Sequence, residues 1–159
     1  MGQLGRASDR EVTSSAPPEK FEELLRDFDG LDRSGRMELL LDWADQFAEV
    51  PPEVAQRPFP ERNRAPRCES EAYVFATDRP DGTLDYHFAV ENPQGVSAKA
   101  WGAILDDAAS GAPLEQVLAI HADTIRRIFG PELSMGKGQG LIGMLDLVHF
   151  EARQRLKHR

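Results

Sequence analysis

The chain has 159 residues, 40% of them hydrophobic and 29% charged, which suffices for one packed domain with a well-solvated exterior. Nineteen Lys and Arg against 27 Asp and Glu leave a formal net charge of -8, a field that repels a phosphate backbone and argues against nucleic acid as a partner. A single cysteine excludes an internal disulfide and suits a reducing cytoplasm, and no run of about 18 apolar residues is available to span a membrane.

Residues 1–18 mix Gly, Ser, Arg, Asp and Pro without the apolar core of a signal peptide and read as a disordered leader to a single domain over 19–159. Phe21, Leu24, Leu25 and Phe28 recur at helical spacing and predict a short helix ended by Gly30. Met37, Leu40, Leu41, Ala44 and Phe47 predict a second, stopped by Pro51 and Pro52 and antiparallel to the first because the connection is short. From Pro51 to Arg67 the chain is rich in proline and charge, with neither helical nor alternating period, and predicts a long loop delivering the chain to Cys68.

Aromatic and β-branched residues then fill Glu71 to Thr77 and Thr83 to Ala89, with turn chemistry between, and predict a β-hairpin. With the hairpin mirrored about its turn, Ala72, Val74, Ala76, Leu84, Tyr86 and Phe88 share the buried face, and Tyr73, Phe75, Asp85 and His87 share the other. That register sets His87 opposite Tyr73 and Cys68 near Asn92. A helix through Val96, Ala100, Ala103 and Ile104 follows, then one helix or two short ones from Leu114 to Phe129, then a last helix carrying Leu141, Met144, Leu145, Val148, Ala152 and Leu156. The order predicts an α+β fold in which a small antiparallel sheet, a hairpin core of about three strands, packs against several helices.

Cys68 stands between this proline-rich loop and the first strand, where two readings are open: a small buried hydrophobe, or a thiol able to reach another protein. Arg62, Arg64 and Arg67 nearby favour a thiolate, whereas Glu69 and Glu71 oppose it. His87, His121, His149 and His158 show no metal-ligand spacing, and one cysteine is too few to hold an iron-sulfur cluster. Gly138-Gln139-Gly140-Leu141-Ile142-Gly143 fits a dinucleotide fingerprint literally. It lacks the preceding strand and the later acidic residue that such a site requires.

The segment Asn63-Arg64-Ala65-Pro66-Arg67-Cys68-Glu69-Ser70-Glu71-Ala72-Tyr73 resembles the active-site segment of the SufE family, usually Gly-Cys-Gln-Ser-Gln-Val-Trp, with glutamates replacing both glutamines. Lys99 followed by an apolar helix resembles the helix after that family's hairpin. Leu133-Ser134-Met135-Gly136-Lys137-Gly138-Gln139-Gly140-Leu141 resembles its Leu-Ser-Pro-Ser-Arg-Ser-Asn-Gly-Leu. Lys137 replaces an arginine, and Gln94 stands where an aspartate is common.

The resemblance implies a SufE/IscU-like fold and a sulfur acceptor in which Cys68 takes persulfide sulfur from a SufS-like, pyridoxal-phosphate-dependent cysteine desulfurase. Cys68 would then pass the sulfur to a SufBCD-like iron-sulfur scaffold. It implies no cofactor and no metal on this chain, and a monomer or weak homodimer that stimulates its desulfurase without being an enzyme itself. Arg64, Arg67, Ser70, Lys137, Gln139 and Gly140 are the expected partner-binding or loop-positioning residues, Lys137 lying just before the last helix. The alternatives are a regulatory binding module in which Cys68 is structural, and a Cys-His hydrolase built on His87.

Overall fold

Acidic Glu19 and Glu22 in its first turn and Arg26 in its last complement the dipole of α1 (Glu19–Phe28), which Gly30 follows at a φ of 83°. The structure, a computed structural model, describes residues 15–159; the expected leader, up to residue 14, lies outside the described residues. As the spacing predicts, Phe21, Leu24, Leu25 and Phe28 are all buried. Asp32 caps α2 (Arg33–Asp45), its Oδ1 accepting from the Gly35 amide at 2.8 Å.

The expected stripe of α2 is only partly buried: Met37 and Leu41 are exposed, whereas Leu40 faces the core with Leu39, Trp43, Ala44 and Phe47 at its margin. This helix is apolar on more than one side, so its period alone does not fix which side turns inward.

Strands β1 (Ala72–Asp78) and β2 (Leu84–Val90) form the antiparallel hairpin, with Ala72 opposite Val90 and Phe75 opposite His87. The register is thus two residues away from the simple mirror. The cause lies in the turn: the Arg79 amide donates to the Thr83 carbonyl at 2.9 Å, leaving Pro80, Asp81 and Gly82 as the loop, with Gly82 at a φ of 86°. A three-residue hairpin loop needs one left-handed residue, and glycine adopts it freely. A shift of two keeps every side chain on its predicted face.

Among the described residues the sheet has two strands rather than about three. Single bridges flank it instead, Glu49 beside Phe88 and Arg64 beside Tyr73. Val50 donates to the Phe88 carbonyl and Ala65 to the Ala72 carbonyl, both at 2.8 Å, but Pro51 and Pro66 follow directly and cannot donate, so pairing stops there.

Helices cover one face of the hairpin. Ala72, Val74, Leu84, Tyr86 and Phe88 point into the main core. The central helix α3 (Val96–Ala109) lies against them; its buried small residues, Ala98, Ala100, Ala108 and Ala109, admit close packing. The proline-rich loop covers the opposite face. Phe59 stacks over Tyr73 and Phe75 with ring centroids 5.1 and 5.4 Å away, while Arg57 pairs with Glu49 at 2.6 Å and Glu91 at 2.8 Å. The loop is therefore an ordered layer with a small core of its own, Val50, Phe75 and Ala89.

Two short helices, α4 (Leu114–Leu118) and α5 (Thr124–Phe129), lead to α6 (Met135–Lys157). Ser134 caps α6, its Oγ accepting from the Lys137 amide at 3.2 Å, so Lys137 stands in the first turn rather than before the helix. At 23 residues, α6 extends about 35 Å, from the Cys68 loop to the hairpin tip, where Arg155 pairs with Asp78 at 2.9 Å and Arg159 donates to the Gly82 carbonyl. No helix among the described residues is long and apolar enough to cross a membrane.

On α6, burial and then the positive charge of Arg153 push the His149 imidazole below its usual pKa, and its Nε2 has no hydrogen-bond partner. The unfolded chain, at a pKa of about 6.5, therefore takes up a proton that the folded chain resists. This contribution to stability is complete above that pH and is lost as the pH falls through it toward the folded value. Urea midpoints of the wild type should drop between pH 7.5 and 5.5 by more than those of His149→Gln; equal drops would contradict the assignment.

Candidate functional site

After the 3-10 turn Glu61–Asn63, the bridge at Arg64 and the buried Ala65 fix where the cysteine loop begins. The chain then passes through Arg67 at a φ of 60° and Glu71 at a φ of 52°, left-handed conformations uncommon for residues with a Cβ. Between them the loop closes on itself, the Glu71 amide donating to the Cys68 carbonyl at 3.0 Å. It is tied to the end of β2 by Glu91 donating to the Glu71 carbonyl and Asn92 to the Ser70 carbonyl, both at 3.1 Å.

These bonds leave Cys68 7% exposed, within the main hydrophobic cluster. Its thiol is free and lies between two cavities. The inner one, about 240 Å³, is walled by Cys68, Ser70, Asn92, Gln94, the first turn of α3, and Gly136, Lys137, Gly140 and Leu141 of α6. Gly95 has no side chain to cap α3 and allows the loop to approach: a Cβ there would stand 3.0 Å from Ser70 Cβ. The outer cavity, a shallow depression of about 640 Å³, is lined by Glu61, Arg64, Arg67, Cys68 and Glu69.

The fold thus brings Ser70, Lys137 and Gly140 to the inner side of Cys68, and Arg64 and Arg67 to its outer side. Arg64 meets Glu61 at 3.4 Å, and Arg67 forms no ion pair among the described residues, so both present charge to solvent. Gln139 is exposed and lines neither cavity. Gln94 sits in the inner wall, its amide bonded to Asn92 Oδ1 at 2.9 Å.

His87 is on the other face of the hairpin, where its Nε2 bonds Thr77 Oγ1 at 3.0 Å across the strands, so it does not pair with Cys68. No cluster of three or more His, Cys, Asp or Glu among the described residues could hold a metal ion.

Residue reasoning overlooked two parts of the site. Trp101, fully buried on α3, donates from Nε1 to the Leu141 carbonyl at 3.0 Å and so joins α3 to α6 beside the inner cavity. Gly143, one turn after Gly140, faces Pro66. Glycines within a helical run were a visible signal of close backbone approach.

The geometry is that of a lone, nearly buried thiol carried on a loop, with the inner cavity on one side and an open depression on the other. The fold resembles the solution structure of a hypothetical protein from Thermus thermophilus, with a TM-score of 0.73 and 24% identity over 89% of this chain and 98% of that one. No curated protein matches the chain. The SufE profile, described as an Fe-S metabolism associated domain, matches residues 22–152, a span containing the hairpin, the cysteine loop and most of α6, and on this match the chain belongs to the SufE family.

Proposed function

We propose that this protein is a sulfur acceptor and carrier that takes persulfide sulfur onto Cys68 from a SufS-like cysteine desulfurase, stimulates that enzyme, and hands the sulfur to a SufBCD-like assembly scaffold. The observation supporting this most is the free thiol of Cys68, buried on a loop between two cavities in a SufE fold. The Cys68 thiolate attacks the terminal sulfur of the donor persulfide. A new sulfur-sulfur bond forms, the donor's own sulfur-sulfur bond breaks, and the donor leaves as a thiolate. The same exchange in reverse roles delivers the sulfur to the next acceptor.

No cofactor is needed on this chain, since pyridoxal phosphate acts in the donor, and a carrier with a free thiol belongs in a reducing cytoplasm. The direct test is to incubate the protein with a desulfurase and cysteine and weigh it intact. An adduct one sulfur atom heavier is expected; its absence would overturn the reading.

Burial of Cys68 in the main cluster also favours a second reading, in which the chain regulates a desulfurase by binding and Cys68 only fills the core. In either case docking over the outer depression would draw on Arg64 and Arg67. Reversing both charges should weaken half-maximal stimulation by about tenfold at low salt, and less at high salt, as expected for solvent-exposed steering charges. Equal stimulation by the wild type and the double variant at low salt would remove these arginines from the interface.

A further inference from the structure

The cysteine loop rests directly on α6, and two glycines make that possible. A Cβ on Gly140 would lie 3.0 Å from Cys68 Cα and 3.3 Å from its Sγ. A Cβ on Gly143 would lie 2.5 Å from the Pro66 carbonyl oxygen, closer than a non-bonded contact tolerates without movement of the backbone. Gly138, on the same helix, is different: its Cβ would make only ordinary contact, 3.6 Å from a Leu133 methyl. Glycine is among the poorest helix formers, so its presence inside a long helix calls for a compensating contact, and at 140 and 143 the loop supplies it.

The remaining constraints on the closed loop are few. Two backbone bonds tie it to the end of β2, one closes it internally, the Ala65 amide bonded to the Ala72 carbonyl pins its flanks, and Arg67 and Glu71 hold left-handed conformations that work against the closed state. We propose that Gly140 and Gly143 are positioning residues for Cys68, forming a seat on α6 whose fit sets the balance between a buried thiol and one turned outward to meet a donor. The role in sulfur transfer rests on the acceptor reading above; the seat does not.

Bulk added at the seat lifts the loop without disturbing the helix, because alanine favours helix over glycine. The test is the rate at which iodoacetamide alkylates Cys68 in the native protein, compared across the wild type, Gly140→Ala, Gly143→Ala and Gly138→Ala, with circular dichroism recorded for each. Alkylation should accelerate by about tenfold or more in Gly143→Ala, where backbone must move, and by a few-fold in Gly140→Ala, as for any local opening that becomes more populated. Gly138→Ala should match the wild type, and helical signal should be retained throughout.

Wild-type rates at both 140 and 143, or an equal acceleration in Gly138→Ala, would overturn the seat. So would loss of helical signal in Gly140→Ala, since the core rather than the loop would then have yielded. Accelerated alkylation with no sulfur adduct from a desulfurase would sustain the seat and sink the acceptor reading; an adduct with unaltered alkylation would do the opposite.

Discussion

Replacing Cys68 by Ser should abolish the sulfur adduct on this chain completely while leaving the fold intact. The exchange has no alternative nucleophile, because Cys68 is the only cysteine in the sequence and a hydroxyl does not attack sulfane sulfur under conditions where a thiolate does. Serine is slightly smaller and more polar, and at a site 7% exposed its hydroxyl costs about 1–3 kcal/mol unless it finds a partner. The variant should therefore remain folded. Stimulation of the desulfurase separates the two functional readings: turnover should fall to the level without the carrier if Cys68 accepts sulfur. Full stimulation by Cys68→Ser would leave the binding module as the better account.

Trp101→Ala should be the most damaging core substitution. The indole is fully buried, packs edge-on against Phe21 at 6.4 Å and Phe129 at 6.1 Å, and donates to the Leu141 carbonyl beside the cysteine cavity. Truncating so large a side chain costs about 3–5 kcal/mol, against a total stability of about 5–15 kcal/mol for a domain of ordinary size. Urea denaturation should show a midpoint far below that of the wild type, with the slope retained. Trp101→Phe keeps most of the ring and forfeits the Nε1 donor, for a smaller loss of about 1–3 kcal/mol. A loss below about 1 kcal/mol in Trp101→Ala would mean that the core refills around the missing ring.

Much of this fold is legible in the chain because its punctuation is local. Gly30 ends α1, and Pro51 closes off the segment after α2. The hairpin faces follow from strict alternation, which survives a register shift of two. The register itself was not legible, since it depends on whether the turn centres on Pro80 or Asp81, and that is decided by the left-handed Gly82. Nor was the exposed side of α2, where Met37 and Leu41 have the same spacing whichever way the helix is rolled.

At the site, Cys68 is marked by its solitude and its loop, and Lys137 and Gly140, from the segment singled out in the sequence, line the same inner cavity. Gln139 belongs to that segment too, but one residue along a helix is a turn of about 100°, enough to carry its side chain to solvent. Trp101 escaped notice because its role rests on one long-range bond to Leu141, a contact that no local period announces.

Helix α6 gives the burial of the thiol a timetable. The residues that close over Cys68 come late in the chain, beyond Met135, whereas the cysteine loop is made much earlier. During synthesis the thiol therefore emerges before the α6 side of its cover exists, when only Ser70, Asn92, Gln94 and the start of α3 can stand beside it. Full burial of Cys68 thus waits for the C-terminal helix to dock, which makes it a property of the finished tertiary structure rather than of the loop alone.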